Sequence, residues 1–156
     1  MRTEQTVVTQ LEQEPADLRL RVAMAMVMEW RRGTGYRGRR DISDAGYVHW
    51  DRVGDLETFD CWEHTVYDTT REHSDDLPRY DTEMGAFLEG PGNYASAMGG
   101  RLQLEVVPGF ENAGEPYRAR YDDLEWGEMH ANAATACGFA LLRYAKWDKV
   151  LELMKG

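Results

Sequence analysis

The 156-residue chain carries 18 basic and 28 acidic side chains, a formal charge of −10, and is 42% hydrophobic with 5 Trp, 8 Tyr and 4 Phe. That apolar and aromatic content is enough for a real core and excludes a disordered acidic tail, and no stretch approaches the roughly 20 apolar residues of a membrane span. A field this negative repels duplex DNA, RNA and anionic lipid, so neither direct nucleic-acid binding nor a membrane partner is expected.

The N-terminus lacks a basic segment followed by an apolar one, so a cytoplasmic protein with a single domain over residues 1–156 is expected, residues 1–14 forming at most a loosely packed extension. Pro15, suited to a helix's first turn, opens the first clear element, in which Leu18, Val22 and Met26 recur at helical spacing up to about Trp30. Residues 3–12 either extend this helix or form a separate turn. Gly33, Gly35 and Gly38 are expected to end it in an Arg-rich loop, residues 31–40. Tyr47, Val48 and Trp50 predict a strand, and Phe59, Trp62, Val66 and Tyr67 another element, with turn chemistry at Gly54-Asp55 between them. The polar run from Thr69 to Arg79 reads as an exposed loop.

Asp81 has the chemistry of a helix cap ahead of Met84, Phe87 and Leu88, and Gly90-Pro-Gly-Asn93 should interrupt that helix before a short continuation through Ala97. Alternation at Leu102, Leu104 and Val106, and again at Tyr117, Ala119 and Tyr121, predicts an antiparallel strand pair. From about His130 to Trp147, Ala134, Cys137, Leu141 and Tyr144 mark a closing helix; the apolar tail behind it is more helix or a docking segment. The expected class is α+β, helices packed on a mainly antiparallel sheet in the order α-β-β-α-β-β-α. Cys61 and Cys137 sit among apolar or aromatic neighbours and read as buried free thiols.

Three stretches resemble the phage ABA-sandwich domain, a family of small phage and prophage proteins largely without assigned activity. They are residues 16–30, an opening helix ending in Trp30; residues 78–86, a proline followed by a capped helix; and residues 135–145, an alanine-rich closing helix. The longer, more basic 31–40 segment and the break at Gly90–Asn93 depart from the family's pattern. The resemblance implies a fold and a phage setting, the cytoplasm of an infected bacterium, and it carries over no catalytic residue.

Charge is uneven: residues 31–40 hold five arginines and no acid, whereas residues 41–90 hold 3 basic and 14 acidic groups. Arg31, Arg32, Arg37, Arg39 and Arg40, with Trp30 and Tyr36 beside them, combine guanidinium forks for phosphate or carboxylate with rings that stack on a base. Trp50 and Tyr94 are candidates to complete a pocket. The other reading of the segment is a loop whose arginines pair with the chain's own carboxylates. Cys61 and His64 have half-site spacing for zinc but lack a second pair, and no catalytic motif in its proper context is found. Gly33-Thr-Gly-Tyr-Arg-Gly38 spells a dinucleotide-loop string but follows a helix.

The expected function is non-enzymatic, without cofactor or metal: capture of a small, anionic, nucleotide-like ligand by a homo-oligomer. By analogy with small phage proteins, that ligand is a phosphorylated immune signal of the host. The alternative is an acidic interaction protein that mimics nucleic acid through residues 41–90 and inhibits a host protein. An enzyme acting on phosphoesters through a metal held by acids ranks last.

Overall fold

The apolar face expected after Pro15 forms, but its helix stops early, and a residue other than glycine stops it. The computed structural model describes residues 3–155 apart from 38, 43–47, 52–56, 66–70, 75 and 110–112; side chains of strand residues 34–37, 39–42, 48–51, 57–60, 65 and 71–74 also lie outside that description. The contacts group the chain into two compact units, Met1–Glu29 with Leu77–Gly156, and Trp30–Asp76. The class is α+β.

In the first unit, residues 3–12 form a separate helix, α1 (Glu4–Leu11), capped by the Thr3 hydroxyl accepting from the Thr6 amide. A single 3-10 turn (Ala16–Leu18) leads into α2 (Arg19–Val27), where Leu20 and every residue from Val22 to Val27 are buried. Glu29, at φ 70°, ends α2 in the left-handed conformation usually given to glycine, while its amide closes back on the Met26 carbonyl at 3.1 Å. Gly33, Gly35 and Gly38 therefore do not terminate this helix.

Asp81 does not cap the next helix, α3 (Met84–Phe87), whose cap residue is Glu83. Its carboxylate is claimed by tertiary structure instead: Arg21 on α2 donates to it at 2.8 Å, and Thr135 Oγ1 donates to its carbonyl at 2.7 Å. The expected interruption is present as one wide turn, Leu88–Gly92, which contains the buried Pro91 and passes directly into α4 (Asn93–Ala97). A wider helical turn accommodates a residue with no amide proton.

Strands β6 (Leu102–Val106) and β7 (Tyr117–Tyr121) pair antiparallel, as the two alternations predict, from Leu102 opposite Tyr121 to Val106 opposite Tyr117. β7 packs on α5 (Ala133–Tyr144), which also meets α2 and α3. Asn132 caps α5 by accepting from the Ala134 and Thr135 amides at 2.8 and 3.2 Å, so α5 begins later than the pattern from His130 implied. Gly138 allows the close approach of α2: a Cβ there would lie 2.9 Å from the sulfur of Met24, itself fully buried. The chain's end is helical: α6 (Asp148–Lys155) packs on α1 and α5, its first amides bonded to the Glu4 carboxylate and Val150 fully buried.

The second unit holds β1 (Arg31–Arg37), β2 (Arg39–Ile42), β3 (Val48–Asp51), β4 (Glu57–Thr65) and β5 (Arg71–Ser74). They form an antiparallel three-stranded sheet in the order β1-β4-β5 and an antiparallel pair, β2-β3. Two expected loops are thereby corrected. Residues 31–40 are largely strand, because each residue of β1 has a partner on β4, with Arg31 opposite Glu63 and Arg37 opposite Glu57. The polar run after Thr69 contains β5, paired with β4 from Thr65 opposite Arg71 to Trp62 opposite Ser74. Ladder pairing and opposed charges outweigh the low strand propensity of these sequences.

Candidate functional site

Successive residues of a strand face opposite sides of the sheet, and this separates Arg31 from Arg32. On one side Arg31 donates to Glu63 at 3.1 Å, its carboxylate partner only 12% exposed. Glu63 reaches Arg31 by crossing Gly33, where any side chain would collide with the carboxyl group. The space above Gly33 is filled by the chain's own acid. On the other side the Arg32 guanidinium lies 4.4 Å over the ring of Trp62, its direct cross-strand partner. Next to it along both strands, Trp30 and His64 stack at 4.9 Å with 17° between their planes. Trp30 and Trp62 are buried, Arg32 is exposed and His64 half-buried.

Of the nine residues named from the sequence, Trp30 and Arg32 thus share one face and Arg31 lies on the other. Tyr36 and Arg37 belong to β1, Arg39 and Arg40 to β2, and Trp50 to β3 opposite Arg40, but their side chains lie outside the described residues. So do Gly38, Tyr47, Val66, Tyr67 and the turn at Gly54-Asp55. Tyr94 stands on α4 in the first unit; burial, and secondarily Glu29, raises its hydroxyl pKa.

The acidic block at 41–90 is not uniformly free surface, because Asp81 is buried against Arg21 and Glu63 is tied to Arg31. Asp122, adjacent to a second carboxylate at Asp123, sits at φ 52° and accepts from the Arg101 amide at 3.0 Å, a turn role. Among the described residues no group of three or more His, Cys, Asp or Glu is placed to hold a metal ion, and no helix is long and apolar enough to cross a membrane. Cys61 and Cys137 are both buried and neither is in a disulfide, as expected, and burial pushes the Cys137 thiol up to about 12.

Sequence reasoning missed a second concavity. A cavity of about 260 Å³ in the first unit is lined by His130, Phe139, Arg143, Leu151, Met154 and Lys155 among others. His130 stacks on Phe139 at 4.8 Å and 5°, and burial lowers its pKa despite nearby Glu128 and Glu115, with Arg143 adding to the lowering. Phe139 with Arg143, and Leu151 with Lys155, are i, i+4 pairs, but nothing in that spacing indicates that two helices bring them to one hollow. A comparison with protein-family models, curated proteins and solved structures finds no match for this chain.

Proposed function

We propose that this chain is a non-enzymatic binding protein of phage type, working in the cytoplasm of an infected bacterium as a homo-oligomer. Its ligand is a small phosphorylated, nucleotide-like molecule of the kind used as an immune signal, which it sequesters. The observation that carries this reading is the face where Arg32 lies over Trp62 beside the Trp30–His64 stack. A guanidinium held over an indole is kept in place, and such a planar group pairs with phosphate oxygens, while the half-buried His64 is the neighbouring ring that can take a base. Arg32 stands on the face away from Glu63, a local positive charge within a chain whose net charge is −10.

Thermal unfolding in the presence of ATP, cyclic dinucleotides or ADP-ribose tests it. A true ligand at a hundred times its dissociation constant stabilises by about 2.7 kcal/mol. Arg32→Ala should abolish the shift and Arg31→Ala, on the opposite face, should leave most of it. The reading is wrong if none of these compounds raises the melting temperature and the denatured protein releases no bound small molecule.

A further inference from the structure

We propose that β6 is an open sheet edge onto which the β6 strand of a second copy of this chain adds antiparallel, with Leu104 on the two-fold axis. This takes up the self-association in the proposed function and rests on that part of it alone, independent of ligand.

The direction of the main-chain groups follows from the hydrogen bonds at the ends of the pair. Val107 donates to the Pro116 carbonyl and Asp122 to the Arg101 carbonyl, each at 2.8 Å. Bonded and non-bonded pairs alternate in an antiparallel ladder, so Gln103 and Glu105 bond to β7 while Leu102, Leu104 and Val106 turn their N–H and C=O groups away from it. The same phase holds on the far side of β7, where every outward carbonyl and the Tyr117 amide are engaged. Tyr117 and His130 exchange bonds at 3.0 and 2.7 Å, Gly127 donates to Ala119 at 3.1 Å, and Leu124 donates to Tyr121 at 3.2 Å. On β6 the corresponding groups have no strand beside them among the described residues. Among the described residues, one edge of this sheet has its outward carbonyls engaged and the other has no strand beside it.

The open edge also lacks the features that protect sheet edges from pairing. Residues 102–106 contain no proline, lysine or bulge, and their one charge, Glu105, is paired to Arg118 at 2.7 Å. Leu104 and Val106 are 40% and 51% exposed, an apolar continuation of the face that packs on α5.

The segment is complementary to itself. With Leu104 opposite Leu104 of the second copy, Leu102 meets Val106 and every outward amide of residues 102, 104 and 106 finds an outward carbonyl. Gln103 then faces Glu105 of the second copy. Its Oε1 already accepts from Arg120 at 2.8 Å, leaving the amide nitrogen to donate to that carboxylate. Sliding one step toward the C-terminus would oppose two Glu105 carboxylates, which fixes the register. The ladder ends where the chain ends it: the Gly100 amide already bonds Ala95 at 2.9 Å, and Pro108 has no amide proton.

Sedimentation of the full chain over a concentration series, combined with three variants, tests this. The wild type should sediment at twice the chain mass. Val106→Pro removes an N–H that β7 does not use, so its monomer should fold and melt as the wild-type monomer does at high dilution, and it should dimerise on the order of tenfold more weakly or worse. Paired residues of a bonded pair have Cα atoms about 5.5 Å apart, within disulfide range, so Leu104→Cys should cross-link to its counterpart on mild oxidation, whereas Leu102→Cys should not. The native thiols are buried and should stay out of that reaction. A chain that stays monomeric overturns both the edge and the oligomer. A dimer unaffected by Val106→Pro, or cross-linked equally by both cysteines, overturns the edge alone. If Val106→Pro does not fold, the cysteine pair decides.

Discussion

Among the described residues arginine lies on tryptophan in two places, across the β1-β4 pair and beside the β6-β7 pair, and the two are built differently. In β6-β7, Arg118 and Arg120 both lie over Trp126, at 4.6 and 4.5 Å, on the polar face of a pair whose other face packs on α5. There the rings and charges decorate a sheet already held by apolar alternation. In β1-β4, Arg32 covers Trp62, which is itself buried, and Glu63 is drawn to Arg31 across a glycine. Here the aromatic and ionic contacts help hold the strands together. The same side-chain pair is therefore peripheral where its tryptophan is a half-buried residue beside the sheet and central where its tryptophan is a buried residue of a strand.

That contrast predicts a gradient of effects. Trp62→Ala should be the most damaging, about 3–5 kcal/mol in chemical denaturation, as expected for a buried tryptophan; a loss below about 1 kcal/mol would make Trp62 as peripheral as Trp126. Gly138→Ala, which drives a methyl into Met24 beneath the β7-bearing helix, should cost about 1–3 kcal/mol by the same measurement. Gly33→Ala should displace Glu63 from Arg31 at a cost of about 1 kcal/mol, and the remaining stability should be less salt-sensitive than in the wild type.

A smaller, pH-dependent effect belongs to the helical side. Burial holds the His130 imidazole below its ordinary value of 6.5, so the unfolded chain takes up the proton first. The stability His130 contributes is complete above pH 6.5 and falls as the pH drops from there toward the folded-state value. Melting temperatures of wild type and His130→Phe should therefore converge or cross on acidification from pH 7.5 to 5.5; parallel curves would contradict the burial. Tyr121→Phe should have the least effect. The Tyr121 hydroxyl is buried with no hydrogen-bond partner among the described residues, so its removal should be neutral or slightly stabilising in denaturant titration.

Much of the first unit could be read in advance because each of its elements carries its own periodicity. Leu102, Leu104 and Val106 against Tyr117, Ala119 and Tyr121 declared a strand pair, and Ala134, Cys137 and Leu141 declared α5. Asp81 misled because a carboxylate near a helix start serves equally as a cap or as an ion-pair partner, and only Arg21, sixty positions away in the chain, distinguishes them. The candidate site was legible as composition alone. Five arginines among glycines gave no indication of strand, since their partners, Glu57 to Glu63 for β1 and Trp50 and Asp51 for β2, lie in segments whose register neither sequence specifies.

By itself the sequence determined the α+β class, the helical and alternating segments of the first unit, and the buried state of both thiols, because apolar spacing and residue size act locally. Tertiary structure alone decided that residues 31–40 are largely strand, that Arg31 and Arg32 part to opposite faces, that Glu63 fills the space at Gly33, and that the outward carbonyls of β7 are engaged while β6 has no strand beside it among the described residues. Those outcomes depend on which distant backbone groups and charges meet, and a pairing between remote segments leaves no periodic trace in either one.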